Sequence, residues 1–303
     1  MEMNDSILCR IDDYTVPIYV VLLVAALAVP VVPFVKDLAS HGKTRTSIAG
    51  PATSNPTFIS QLWSFAVDQL VVPKSFFTHF YLFAILSLYL RKGPLGVLHG
   101  MNHVQALLLI HFMRRLLECT FVHQWRRGSY MHVSGYVVGM LHYLFLPLVF
   151  FPCAQDVSSM NSRPINEDSF MHQAFCFASI IACLWAQYQQ SRHHWILAQL
   201  RRRSHTAAQE KVVFGRYQLP RKGWFTRLSC PHYSSEILIY LGLVSLSCMT
   251  NQSLSITRLA FLLLWVVGNL TVSAWESHQW YLRHFPMLEK PENRRWAVVP
   301  YCI

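Results

Sequence analysis

The sequence predicts an all-α fold, a multi-pass membrane bundle of about seven transmembrane helices. Hydrophobic residues make up 53% of the 303-residue chain and charged residues only 14%, well below the roughly 25% charged residues typical of soluble domains. The mean hydropathy is positive, at +0.28. Apolar stretches approaching the roughly 20 residues that a membrane span requires recur along the whole chain. We therefore expect residues 1–303 to form a single membrane domain.

Seven apolar stretches are the candidate spans. They are Val16–Val35, Phe76–Leu90, Val104–Val122, Val133–Phe151, Phe170–Tyr188, Ser234–Met249 and Leu259–Ala274. The charged residues before the first stretch are mostly acidic, whereas a signal peptide opens with positive charge, so we interpret this stretch as a retained helix. In the fourth stretch, Gly135 and Gly139 are spaced for close packing against another helix.

Lysine and arginine collect in a basic loop, residues 191–228, between the fifth and sixth spans. Glu210 is the only acidic residue in that loop. The positive-inside rule therefore places the loop in the cytosol. The net charge of +11 is mainly a consequence of this topology, and we expect no nucleic-acid binding.

The third span contains a stripe of polar residues. His111, Arg114, Arg115 and Glu118 are spaced i, i+3, i+4 and i+7, which places all four on one face of a helix. A charge near the bilayer centre costs at least about 2.5–3.5 kcal/mol, so such residues normally face a protein interior or a wet cavity. The stripe fits either an internal salt bridge that orients the bundle or a buried functional site.

Two more polar patterns lie at predicted span ends. Gln187, Gln190 and His194 repeat the helical stripe at the end of the fifth span, and His278 and Tyr281 follow the seventh span one turn apart. Taken alone, each also fits an ordinary helix end or an interface anchor.

Several chemistries lack their sequence signatures. The 8 cysteines include no Cys-x-x-Cys pair, and the 15 histidines include no His-Glu-x-x-His motif. We therefore expect no metal site and no disulfide framework. A Walker loop and a Gly-x-Gly-x-x-Gly motif after a strand are also absent, so any nucleotide would bind in a site built from helices.

One combination of motifs is specific. The segment Cys230-Pro-His232-Tyr233-Ser-Ser-Glu236 follows Tyr217-Gln-Leu-Pro220, and the chain ends with a His278-Gln-Trp-Tyr281 motif. This combination resembles the C-terminal region of the steroid 5-alpha-reductase family, in particular its polyprenol (polyprenal) reductase branch. Further matches lie at Val72–Tyr81, His111–Glu118, Gln190–Leu197 and from Ser277 through Arg295 to Pro300. Residues 1–100 are less like the family than residues 101–303.

The resemblance implies a seven-helix enzyme of the endoplasmic reticulum membrane that uses NADPH from the cytosol to saturate an activated carbon–carbon double bond. It also implies two sets of site residues. The candidate catalytic residues are His278, Glu236, His111 and Tyr233, and the candidate cofactor-binding residues are Arg115, Gln190, His194, Tyr217, His232, Tyr281 and Arg295. Where the steroid branch has a tyrosine after the stripe histidine, this chain has Phe112, so the proton donor remains open among His111, Tyr233 and His278.

Chemistry constrains the substrate. Hydride does not add to an isolated alkene, but it adds to the beta carbon of an enone or enal whose developing oxyanion is stabilised. A polyprenol is only an allylic alcohol, so the expected acceptor is the aldehyde polyprenal, which is reduced to dolichal on the route to dolichol for protein N-glycosylation. The alternative within the family is a steroid enone reductase.

Two readings from other classes remain. A membrane methyltransferase of the isoprenylcysteine type would bind S-adenosylmethionine in a similar helix-built pocket. A receptor or transporter with seven spans would leave the stripe at His111–Glu118 without a role. For the reductase, we expect a long-chain polyprenoid lipid as partner and a monomeric protein in the membrane.

Overall fold

The computed structural model describes residues 11–30, 69–99, 101–125, 128–151, 169–210, 218–250 and 255–300. Seven long helices lie within these ranges. They are α1 (Thr15–Ala28), α2 (Phe77–His99), α3 (His103–Leu117), α4 (Val133–Phe150), α5 (Phe170–Glu210), α6 (Pro231–Thr250) and α7 (Ile256–His284). Each overlaps one of the seven predicted spans, and the all-α class is confirmed.

Five of these helices are long and apolar enough to cross a membrane. Within the described ranges they are α1, extended to Ile11–Ala28, together with α4, α5, α6 and α7. Large apolar side chains such as Val21, Phe177 and Ile256 are exposed on their surfaces, as expected for residues that face lipid. The chain is therefore a multi-pass membrane protein. Helices α2 and α3 occupy the other two predicted spans.

The prediction of a loop at residues 191–228 is wrong in its first part. Helix α5 continues to Glu210, far beyond the predicted end of the span at Tyr188. From Phe170 to Glu210 the sequence contains neither glycine nor proline, and it is rich in alanine, glutamine and arginine, which favour helix. Because the helix continues, Gln190 and His194 are buried inside the bundle.

Glycine allows two pairs of helices to approach closely. A Cβ atom on Gly242 of α6 would lie 3.1 Å from the Cβ of Cys183 on α5. A Cβ atom on Gly139 of α4 would lie 2.5 Å from the ring of Phe80 on α2. Gly135 has no such neighbour within 4 Å, so only one residue of the predicted glycine pair packs against another helix.

A small antiparallel ladder, absent from the sequence prediction, sets the starts of α2 and α4 side by side. Strand β1 (Val71–Pro73) pairs with strand β2 (Tyr130–His132), with Val72 opposite Met131. Strand β2 leads directly into α4, and one helical turn separates β1 from α2.

The C-terminal segment returns to the beginning of α6. The Ser229 backbone N–H donates to the Trp296 carbonyl at 2.8 Å, and the Trp296 N–H donates to the Arg227 carbonyl at 3.0 Å. One residue further, the Cys230 N–H donates to the Ala297 carbonyl at 3.1 Å. These bonds hold the segment that contains Arg295 beside the beginning of α6.

Candidate active site

A cavity of about 440 Å³ lies inside the helix bundle. Most of its wall is apolar and comes from α1, α2, α4 and α7. The rest of the wall is charged and polar. The groups from α3, α5 and α6 include Arg115, Gln190, His194, His232 and Glu236, and α7 adds Glu276. A polar wall facing an apolar space is typical of a site that binds an amphipathic ligand.

Local structure places the stripe of α3 at this cavity. The helix begins with a capping box, in which the Asn102 side chain accepts from the Gln105 N–H at 2.9 Å and the Gln105 side chain accepts from the Asn102 N–H at 3.3 Å. The helix ends in a single π turn, Glu118–Val122. Such turns are frequent at functional sites.

Glu118 joins α3 to α5. Its two carboxylate oxygens accept from Arg114 Nη1 at 2.5 Å and from Arg115 Nη1 at 2.6 Å. The same carboxylate lies 2.7 Å from His194 Nδ1, and all these side chains are largely buried. The predicted stripe therefore exists as a set of ion pairs in which both arginines share the Glu118 carboxylate.

Gln190 extends this set to α6. Its side-chain oxygen accepts from Arg114, and its side-chain nitrogen donates to Glu236. His111 is completely buried behind Glu236, with its Nε2 3.3 Å from the Glu236 carboxylate. We call the connected set the polar network. It comprises His111, Arg114, Arg115, Glu118, Gln190, His194 and Glu236, so that two arginines balance two glutamates.

A second polar group, which we call the C-terminal cluster, contains Ser229, His278, Tyr281 and Arg295. The Ser229 hydroxyl lies 2.7 Å from His278 Nδ1. Arg295 is buried, with 7% of its surface exposed, and its Nη1 has no hydrogen-bond partner among the described residues. Burial lowers the pKa of Arg295, and the neighbouring charge of Arg221 acts in the same direction. This cluster has an excess of positive charge.

The structure brings most of the predicted site residues together. Six of them line the cavity: Arg115, Gln190, His194, His232, Tyr233 and Glu236. His111 contacts Glu236 from behind, and His278, Tyr281 and Arg295 lie in the C-terminal cluster. Tyr217 lies outside the described residues. The catalytic and binding roles of all these residues remain predictions.

Sequence reasoning missed several polar groups on α2 and α4 that line the same cavity, among them Tyr81, His142 and Tyr143. Tyr81 on α2 accepts a hydrogen bond from Arg115 Nε at 2.9 Å, and the Tyr143 hydroxyl on α4 donates to Tyr81 at 3.1 Å. His142 accepts at Nδ1 from Trp265 at 3.1 Å. Tyr81 belongs to a segment that matches the family, and this was the available signal, but single polar residues in apolar helices carry no periodic pattern.

Glu118, His123 and His194 have the donor types of a metal site. Their ligand atoms lie within 4.8 Å of one another. The Glu118 oxygens already accept from two arginines, and Arg115 Nη1 lies 2.6 Å from His194 Nδ1. Because these positive charges would repel a cation, we assign no metal to this group.

Comparison with known proteins defines the class. Residues 130–303 match the family model for 3-oxo-5-alpha-steroid 4-dehydrogenase, which is the steroid 5-alpha-reductase family. This match spans more than half of the sequence, so the chain belongs to that family. It is an oxidoreductase that acts on a CH–CH bond, and the family implies a nicotinamide cofactor.

Similar proteins place the chain on one branch of that family. A polyprenal reductase of Xenopus tropicalis is 29% identical, over 88% of this chain and 87% of the relative. A polyprenal reductase of Saccharomyces cerevisiae is 30% identical, over 78% of this chain and 77% of the relative. Polyprenal reductase 1 of Oryza sativa is 26% identical over 92% and 93%. The resemblance inferred from the motifs is thus confirmed at the level of the polyprenal reductase branch.

Proposed function

We propose that this protein is an NADPH-dependent polyprenal reductase of the endoplasmic reticulum membrane. It saturates the alpha-isoprene double bond of polyprenal to give dolichal, a step of dolichol formation for protein glycosylation. The observation that carries the proposal is the cavity, in which the charged wall formed by Arg115 and Glu236 faces a long apolar wall. The polyprenal reductases to which the chain is similar support the choice of substrate.

The apolar wall suits an isoprenoid chain. Small and branched side chains of α1 and α7 form this part, among them Ala25, Val29, Val266 and Leu270. Burying each CH₂ group of a lipid contributes about 0.8 kcal/mol, so an isoprenoid of a few units would bind here without polar contacts. The aldehyde head would then lie at the charged wall.

The residues fit a nicotinamide dinucleotide. Arg295 has a buried guanidinium nitrogen without a partner among the described residues, and a phosphate oxygen would satisfy it with a charge-assisted hydrogen bond. Gln190 and Glu236 offer amide and carboxylate groups that can bond a carboxamide. When bound, the nicotinamide would supply hydride for the beta carbon of the enal.

The polar network has two tasks in this chemistry. Its paired charges hold Gln190 and Glu236 rigidly, so that no reorganisation is needed when charge develops on the substrate. Its buried position also excludes water from the reacting end. The candidate proton donors from the sequence stay His111, His278 and Tyr233, which lines the cavity next to His232. Glu236, which His111 contacts, stays a candidate for tuning its donor.

The direct test is turnover of a defined substrate. Purified protein is incubated with NADPH deuterated at both C4 positions and with either polyprenal or a 3-oxo-4-ene steroid. The masses of the products are measured by mass spectrometry. The proposal expects polyprenal to gain one deuterium and one hydrogen, and the steroid to remain unreduced. Reduction of the steroid alone would assign the chain to the steroid activity named by its family model.

Variants test the site. Glu236→Gln removes a charge from the wall while keeping the size of the side chain, and we expect turnover to fall roughly 10–100-fold. Glu292→Gln is the matched control, because Glu292 is exposed and outside the cavity. A cofactor comparison separates the reductase from the methyltransferase reading: NADPH, and not S-adenosylmethionine, should raise the thermal unfolding temperature.

A further inference from the structure

The steroid branch of the family has a tyrosine where this chain has Phe112. Phe112 is completely buried and offers no hydroxyl, but its ring lies edge-on to the ring of Tyr143 at a centroid distance of 6.3 Å. The Tyr143 ring in turn contacts that of Tyr81, at 4.8 Å. Both tyrosines line the cavity. The region around Phe112 is therefore supplied with hydroxyl groups from α2 and α4.

A count of the hydroxyl protons of Tyr81 and Tyr143 shows that one proton has no acceptor among the described residues. The two hydroxyls carry two protons, and one of them is used in the 3.1 Å hydrogen bond that joins Tyr143 to Tyr81. Arg115 Nε donates to the Tyr81 oxygen and accepts nothing. Among the described residues, no acceptor binds the second hydroxyl proton. Whichever tyrosine donates to the other, one O–H group has no acceptor among the described residues and can donate to a ligand in the cavity.

The surroundings hold that O–H in a defined position. Tyr81 is only 3% exposed and lines the cavity. Its oxygen accepts from a cation and from a second phenol, and hydrogen bonds in such a chain strengthen one another in a buried site. The Arg115 guanidinium carbon also lies 5.1 Å from the centre of the Tyr81 ring. The Arg115 charge thus offsets part of the cost of placing negative charge on the buried Tyr81 oxygen.

We propose that Tyr81, assisted by Tyr143 and Arg115, is the catalytic proton donor that binds the carbonyl oxygen of the substrate. This inference rests on the proposed function and names the donor that the sequence left open. The donor predictions for His111, Tyr233 and His278 are its competitors. The tyrosine pair differs from these three because it combines a cavity position, an unused proton and direct contact with a buried cation.

The proposed step balances in protons and electrons. Hydride, with its electron pair, joins the beta carbon, and the nicotinamide cofactor is oxidised; the π electrons of the double bond shift towards the carbonyl oxygen. The phenol O–H bond breaks and an enol O–H bond forms, leaving a tyrosinate beside Arg115. The alpha carbon then takes a proton from the medium while the enol returns its O–H proton to Tyr81. Net consumption is one hydride and one proton from solvent.

Three variants that keep the ring test the pair: Tyr81→Phe, Tyr143→Phe and the double variant. Removing one donor to a developing oxyanion lowers kcat about 100–1000-fold. We expect this loss for Tyr81→Phe and for the double variant, with little change in KM, and a smaller loss for Tyr143→Phe because Tyr81 keeps Arg115. Tyr89→Phe on the same helix is the control, since Tyr89 is 48% exposed on the outer surface. Wild-type kcat in the double variant overturns the proposal.

A spectroscopic measurement tests the same contact without turnover. Polyprenal labelled with ¹³C at the carbonyl is bound to the protein without cofactor, and the carbonyl stretch is read by isotope-edited infrared difference. The proposal expects a lower carbonyl frequency in the wild type and in Tyr89→Phe, and loss of that shift in the double variant. An unchanged shift in the double variant overturns it, as does a shift lost only in Tyr240→Phe, which removes a different hydroxyl of the cavity wall.

Failure of the proposed function and failure of the donor assignment give different experimental results. If wild-type protein reduces no polyprenal, the proposed function is wrong. If wild-type protein reduces polyprenal and the double variant does so equally well, only the assignment of the donor is wrong. Should the double variant not fold, the two single variants decide, because each removes one oxygen atom and keeps the packing of the ring.

Discussion

The polar network and the C-terminal cluster contrast in how their charges are balanced. In the network, Arg114 and Arg115 both pair with Glu118, and Gln190 connects them to Glu236. In the C-terminal cluster, Arg295 is buried near Arg221, with a guanidinium nitrogen that no described residue bonds. The charges of the network balance one another, whereas the C-terminal cluster lacks an anion.

This difference indicates what each region binds. A satisfied, neutral network in a low-dielectric site can present fixed dipoles to a neutral ligand, such as an aldehyde or a carboxamide. A buried cation without an internal partner is costly unless a ligand supplies the negative charge. We therefore expect the reacting end of substrate and cofactor at the network, and phosphate at the C-terminal cluster.

The largest effect is expected from breaking the network. Glu118→Gln removes the carboxylate that pairs with both Arg114 and Arg115 and leaves the network with one buried positive charge in excess, which costs about 3–5 kcal/mol of stability. We expect a strongly lowered thermal unfolding temperature in detergent and loss of activity. Asp13→Asn is the control, because Asp13 is exposed. An unchanged unfolding temperature in Glu118→Gln would show that the ion pairs do not hold the helices together.

A smaller and different effect is expected from Arg295→Gln. Removal of a buried charge without an internal partner should leave stability nearly unchanged, whereas cofactor affinity should fall roughly 10–100-fold, as a lost charge-assisted bond to phosphate is worth about 1.5–3 kcal/mol. Tryptophan fluorescence on titration with NADPH measures this affinity. Arg294→Gln, at an exposed neighbouring position, should bind NADPH like the wild type. Equal affinity in both variants would remove Arg295 from the phosphate site.

The smallest effect is expected from Ser229→Ala. The variant deletes the hydroxyl that lies 2.7 Å from His278 Nδ1, so that His278 is positioned less firmly. A neutral hydrogen bond contributes about 0.5–1.5 kcal/mol, so we expect at most a tenfold loss in kcat/KM. Ser229→Thr, which keeps the hydroxyl, should restore most of it. A loss larger than that of His278→Ala would mean that Ser229 acts on its own.

The sequence predicted the bundle well because membrane spans have a strong compositional signal. All seven predicted spans coincide with helices, and the helical spacing of His111 and Glu118 correctly indicated one shared face. The end of α5 was predicted too early, because charge in residues 191–210 was interpreted as loop. Charged residues indicate contact with water or phosphate, but they do not end a helix. A helix continues wherever no helix-breaking residue, such as glycine or proline, interrupts it.

The site was predicted less completely, for a physical reason. Residues that carry a family motif, such as His232 and Glu236, were found and do line the cavity. Tyr81 and Tyr143 lie on different helices and meet only through their hydroxyls, a contact between α2 and α4 that no periodicity in one chain segment encodes. The β1–β2 ladder was also not predicted, because strands of three residues are too short to show an alternating hydrophobic pattern.

The position of bound cofactor tests the central claim most directly. We expect a structure of the purified protein with NADPH, determined by electron cryomicroscopy, to show the nicotinamide ring at the polar network, within hydrogen-bonding distance of Gln190 or Glu236. The same structure should show a phosphate group bound to Arg295. A nicotinamide at the apolar wall near Val29 and Leu270 would contradict the assignment of the reacting end to the polar network. Phosphates away from Arg295 would contradict the assignment of phosphate binding to the C-terminal cluster.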